Sequence, residues 1–190
     1  MELRGEVTRY AWLSIATAAG VITLKVIAYF LTGSIGFLSD AIESGANILS
    51  AVITLVALLV AARPPDEEHA FGHAKAEYFS VGAEGILIIG AAVFIAVQAI
   101  GRFIDPQPLA QIGLGLWVSA MATVANLVVA RILLNAGKRH RSAALTADAQ
   151  HLMTDVWMSV GVIAGVALVS LTGWLWLDPL IAMIVALQIV

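Results

Sequence analysis

The chain of 190 residues contains no cysteine. Disulfides and thiolate metal ligands are therefore excluded, and any metal site must use histidine, carboxylate, amide or backbone oxygen. That donor set suits intermediate to hard divalent cations. Charge is also scarce. Only 12% of residues are charged, against about 25% in an average soluble domain. The net charge of −3 gives no basis for a nucleic-acid partner, and none is expected. The first six residues, Met1-Glu2-Leu3-Arg4-Gly5-Glu6, are polar. They lack the apolar core and cleavage site of a signal peptide, so the first apolar segment is expected to stay in the mature protein. No His-Glu-x-x-His motif occurs and no nucleophile stands beside a base, so an intramembrane metalloenzyme is not expected.

What the chain has in abundance is apolar length. It is 61% hydrophobic, with a mean hydropathy of +0.95. A hydrocarbon core of about 30 Å needs roughly 20 helical residues to cross it. Apolar stretches at 10–31, 35–62, 78–104, 112–134 and 143–171 meet that length. They are separated by Thr32-Gly33-Ser34, a polar loop over 66–77, Asp105-Pro106-Gln107-Pro108 and a basic loop, Lys138-Arg139-His140-Arg141. Trp174 and Trp176 follow the fifth stretch as interfacial anchors. A sixth begins near Asp178-Pro179 and is still apolar at Val190. The expected fold is an all-α integral membrane protein: a six-helix transmembrane bundle whose last helix is truncated or only partly present.

Loop charges give the orientation. Arg4, Arg9, Arg63, Lys75, Arg131, Lys138, Arg139 and Arg141 fall on one side, and Arg102 alone on the other. Lysine and arginine favour the cytoplasmic side, so the N-terminus is expected to be cytoplasmic. Runs rich in glycine and alanine, such as 82–85 and 161–165, are read as close helix contacts.

Within these apolar stretches one polar pattern appears twice. Asp40-Ala41-Ile42-Glu43 is followed by Asn47, and Asp148-Ala149-Gln150-His151 by Asp155. Corresponding members lie 108 positions apart throughout. Ionisable groups at membrane depth are costly and mark a path or a site by default. Residues four apart share a helix face. Glu43 with Asn47, and His151 with Asp155, can therefore surround one ion if helices two and five pack together. Four such ligands suit tetrahedral coordination, and two carboxylates balance a divalent charge. Ligands must be deprotonated to bind, so metal and protons compete for the site. Asp40 and Asp148, one turn away, have three open readings: support of the ligands from behind, lining of an access path, or helix-end structure. Glu84 is read as a packing or water-cavity residue rather than a ligand.

These residues resemble the cation diffusion facilitator transporters. The resemblance rests on the helix-two pair, His151-xxx-Asp155, the loop Pro65-Asp66-Glu67-Glu68-His69-Ala70-Phe71-Gly72-His73-Ala74-Lys75-Ala76-Glu77, and Leu177-Asp178-Pro179. It covers essentially the whole chain, so residues 1–190 are expected to be a cation-efflux transmembrane domain without the usual C-terminal cytoplasmic domain. The resemblance implies export of a divalent metal from the cytoplasm in exchange for protons, by alternating access. It also implies a homodimer in the bilayer, multi-pass in a cell membrane, here a bacterial inner membrane. Many relatives carry His-xxx-Asp or Asp-xxx-Asp in helix two, whereas this chain has Glu43-xxx-Asn47, so Zn2+, Fe2+, Mn2+, Co2+, Ni2+ and Cd2+ all stay open. An alternative frame pairs Asp40 with Ser44. Asp66, His69 and His73 match a second metal site in the loop of some relatives, and their spacings of three and four would share a helical face. The competing reading is a solvated loop that caps the third helix. A metal-binding membrane scaffold, or a channel without proton-coupled transport, is the alternative function.

Overall fold

The structure is a computed structural model. It describes the backbone of residues 2–61, 63, 72–73 and 75–190, and the side chains of these apart from 2–9, 11 and 77. Six helices follow one another: α1 (Glu2–Thr32), α2 (Ile35–Ala61), α3 (Lys75–Ile104), α4 (Ile112–His140), α5 (Ala143–Thr172) and α6 (Leu177–Gln188). The first five are long and apolar enough to cross a membrane, and no strand occurs among the described residues. The shortest of them, α2, has 27 residues, about 40 Å of helix at 1.5 Å per residue. In lipid this is the expected solution, because a helix satisfies its own backbone polar groups. Phe30, Ile86, Trp117 and Leu171 point outward, as lipid-facing side chains should.

Three boundaries differ from expectation for the same reason. The helix α1 starts at Glu2 rather than near residue 10, α3 starts at Lys75 rather than 78, and α4 runs to His140 rather than 134. Hydropathy finds the part of a helix inside the membrane, but the hydrogen-bond ladder continues into polar sequence. The expected basic loop is thus largely helix. Lys138, Arg139 and His140 form the last turn of α4, where positive charge complements the helix dipole. Arg141 then stops the helix in a left-handed conformation, φ 50°. Ser142 begins α5 at once, its hydroxyl accepting from the Leu145 N–H.

The chain crosses back and forth, so α1, α3 and α5 start at the face where α2 and α4 end. That shared face carries the described loop cations, and Arg102 lies at the other. Arg102 donates to the Gly33 carbonyl at 2.6 Å, closing the end of α1. Helices α1, α2, α4 and α5 surround the interior, while α3 and α6 pack against α2. Small residues set the closest approaches. A Cβ at Gly115 would collide with Thr32 of α1, and one at Gly165 with Ile181 of α6.

The helix α6 is fixed by a carboxylate. Asp178, 1% exposed, accepts from the Ile35 N–H at 2.8 Å, the Gly36 N–H at 3.1 Å and the Ser34 hydroxyl. These are orphan donors at the start of α2, where a negative charge is favoured. Pro179 sits in the first turn of α6, where its missing N–H breaks no ladder bond. Trp174 and Trp176 stack at 5.8 Å in the turn that leads into α6.

Candidate functional site

Packing α2 against α5 brings both copies of the polar pattern to one place. Glu43 and Asn47 from α2, with His151 and Asp155 from α5, line a cavity of about 200 Å3. Ala46, Thr154, Ile88 of α3 and Ile189, just past α6, complete its wall. Glu43 and Asp155 are buried, at 9% and 8% exposure. The Glu43 Oε2 atom is fully enclosed and has no hydrogen-bond partner. Such an orphan is expensive in a low-dielectric setting and points to a missing partner. No three His, Asp or Glu side chains stand together at ligand spacing among the described residues. The four groups border the cavity without closing on a common point.

A second cavity, of about 450 Å3, shares Asn47, His151 and Asp155 with the first. It extends along α1 from Val21 to Ser14 and along α2 from Ser44 to Leu55. On each helix this direction leads toward the face that holds the N-terminus. Asp148 lines it, which fits the access-path reading of that residue. So does Asn126 of α4, which is 2% exposed and whose Oδ1 has no hydrogen-bond partner.

Asp40 is already taken. Lys25 of α1 donates to its Oδ1 at 2.7 Å and to the Ser44 hydroxyl at 2.8 Å. Ser159 of α5 donates to both carboxylate oxygens, at 3.0 and 3.1 Å. Lys25 and Asp40 are 2% and 1% exposed. The repeated pattern points to Asp40, but it contains neither Lys25, a lone charge inside the first apolar stretch, nor Ser159 or Asn126. One signal could have found the lysine. A charge at membrane depth needs a partner, and Asp40 is the carboxylate at matching depth on the neighbouring helix. Neither Ser159 nor Asn126 carries such a signal, because neutral polar residues are common in membrane helices.

Of the loop residues, His73 is half-buried just before α3. Asp66 and His69 lie outside the described residues. Glu84 is half-buried early in α3.

Residues 11–190 match the family model of the cation efflux transmembrane domain. The chain belongs to the cation efflux family. The resemblance drawn from its motifs thus holds at the level of the family. This cation efflux chain is 55% identical over 174 residues to an uncharacterized transporter of Synechocystis, covering 92% of the chain and 56% of that protein. It is 32% identical over 176 residues to the cation-efflux pump FieF of Shewanella oneidensis, covering 93% of the chain and 59% of the pump. To FieF of Klebsiella pneumoniae it is 31% identical over 183 residues, covering 96% and 61%. The chain therefore spans somewhat more than half the length of these bacterial relatives. Its long apolar helices make it a multi-pass membrane protein.

Proposed function

We propose that the chain is the ion-moving part of a divalent metal cation/proton antiporter that exports zinc-like ions from the cytoplasm. The observation that carries this reading is the unpartnered Glu43 Oε2 in a cavity shared with Asn47, His151 and Asp155. These four would be the ligands of the transported ion. They offer one imidazole, one amide and two carboxylates, a set that neutralises a divalent charge and suits four-coordinate binding. Ion pairing of Asp40 with Lys25 supports the count, since it leaves Glu43 and Asp155, the two carboxylates that line the smaller cavity, as the candidates there. The transported ion is then Zn2+, Fe2+, Mn2+, Co2+, Ni2+ or Cd2+, with Asn47 weakening any strict preference for zinc. Ligands must shed their protons to bind metal. An ion loaded at one membrane face and released at the other therefore exchanges for protons, by alternating access of the site to the two sides.

The N-terminal face is the cytoplasmic one on its loop charges. The larger cavity is then the cytoplasmic vestibule, with Asp148 and Asn126 in its wall. Asp66, His69 and His73 would form a second, cytoplasmic ion site. The chain works as a homodimer in a bacterial inner membrane, joined to a cytoplasmic domain.

Reconstitution into liposomes with a metal-sensitive dye inside tests the reading. A pH gradient is expected to drive Zn2+ flux through the parent chain, and His151→Ala with Asp155→Ala to abolish it. Undiminished flux in that variant removes these residues from the path, and flux indifferent to the gradient removes the antiport.

A further inference from the structure

The Lys25 cluster is not part of the candidate ligand set, yet it stands directly behind it. On three helices Lys25, Asp40 and Ser159 lie one turn past the larger cavity, whose wall includes the fourth member, Ser44. Val21 of α1 lines that cavity and Lys25 comes next. Ser44 and Asp155 line it, and Asp40 and Ser159 follow. Four residues make about one helical turn, so in each case the step leads away from the N-terminal face. The four polar groups join α1, α2 and α5 through one carboxylate. Beyond them comes an apolar layer, Ala28, Phe37, Val162 and Val166, none more than 1% exposed. Both cavities that carry the candidate ligands lie on the N-terminal side of this layer.

We propose that Lys25 is a positioning residue of the transport cycle, which, through Asp40, clasps α1, α2 and α5 together and shuts the ion path on the face opposite the N-terminus. The inference rests on the transport reading above and adds to it the residues that hold the far side closed. An ion pair suits this task. Its charges cancel and its remaining bonds go to hydroxyls, so the closed arrangement leaves no charge uncompensated beside the bound ion. It is also bistable in the sense a gate requires. Once water reaches the lysine and the carboxylate, both are solvated and the attraction between them falls to that of a surface pair. Closed and open arrangements can thus lie close in free energy, and a modest bias at the neighbouring site selects between them. The seryl bonds from α1 to Ser44 and from α5 to Asp40 tie the clasp to the two helices that carry the ligands, so movement at Glu43 or Asp155 is passed to it directly.

Because the chain has no cysteine, a single introduced thiol reports access without background. Ala46→Cys places one in the wall of the smaller cavity. The reporter chain is placed in membrane vesicles of either orientation and treated with a charged, membrane-impermeant methanethiosulfonate, while pH-driven Zn2+ flux is measured alongside. In the parent reporter, labelling is expected to be fast from the N-terminal face and slow from the other. Lys25→Gln with Asp40→Asn, which keeps size and polarity but removes the charges, is expected to raise labelling from the opposite face about tenfold, the scale of a typical coupling between sites. Its labelling from the N-terminal face should stay as in the parent. That second rate is the fold control, since a collapsed bundle would change both. Ser159→Ala, which cuts only the α5 arm, should raise opposite-face labelling by a smaller factor and decides the matter if the pair variant does not fold. Unchanged sidedness in a folded variant, in a parent that transports Zn2+, overturns the clasp and leaves the transport reading intact. A parent that moves no Zn2+ overturns both.

Discussion

The ion pair of Lys25 and Asp40 makes a thermodynamic prediction of its own. Its Nζ–Oδ1 distance is 2.7 Å, and the two side chains are 2% and 1% exposed. At that separation the gross attraction is about 6 kcal/mol with an effective dielectric near 20. Removing two ions from water costs several kcal/mol each, so the net contribution of the intact pair is small. Breaking it is another matter. Lys25→Met leaves the Asp40 carboxylate buried with only the Ser159 hydroxyl, and Asp40→Leu leaves an ammonium with only Ser44. Each single variant should lose about 3–5 kcal/mol of stability. The double variant, apolar at both positions and similar in volume, should fall within about 1–2 kcal/mol of the parent. The coupling energy from the four chains should therefore be at least about 4 kcal/mol, above the usual range of about 0.5–3 kcal/mol for contacting residues. Equilibrium unfolding in mixed micelles, followed by helical circular dichroism, measures all four. Single variants that each lose less than about 1 kcal/mol, or a double variant whose loss is the sum of the singles, would refute the argument that the pair is desolvated and mutually dependent.

Asp178→Ala strips the partner from the first N–H groups of α2 and should cost about 2–4 kcal/mol, with Asp178→Asn milder, in the same unfolding assay. Gly165→Val should lose about 1–3 kcal/mol by overpacking, because a Cβ there meets Ile181, whereas Gly161→Val, where a Cβ meets nothing, should be tolerated. On the proposed ligand set, metal affinity should fall as pH is lowered, since protons and metal would compete for Glu43, His151 and Asp155. Calorimetric Zn2+ titrations across the pH range check the sign, and an affinity that rises on acidification would contradict the ligand set.

How much of this was legible beforehand depended on the kind of signal. The helices were, because crossing lipid demands a long apolar stretch and each of the five is one. Their ends were less so, as α1 and α4 show, since the backbone ladder runs on into polar residues that hydropathy discards. The pairing of Glu43 with Asn47 and of His151 with Asp155 was legible from helical spacing and from the repeated frame. Their meeting in one cavity was expected from the repeated frame only on condition that helices two and five pack together, because spacing within a helix says nothing about which neighbour it faces. Asp178 illustrates the same divide. Its sequence context marks the start of α6, yet its role is to satisfy the first turn of α2, more than 140 positions away.

Taken alone, the sequence determined that this is a multi-pass helical membrane protein, that a metal site could not use thiolates, and which residues could share a helix face. These follow from composition and from local geometry, which every residue carries with it. Tertiary structure decided what the polar groups do once they meet. Packing left Glu43 with an unpartnered oxygen and gave the nearby Asp40 a lysine. That choice depends on which helices touch and at what depth, a property of the assembled bundle and not of any one segment.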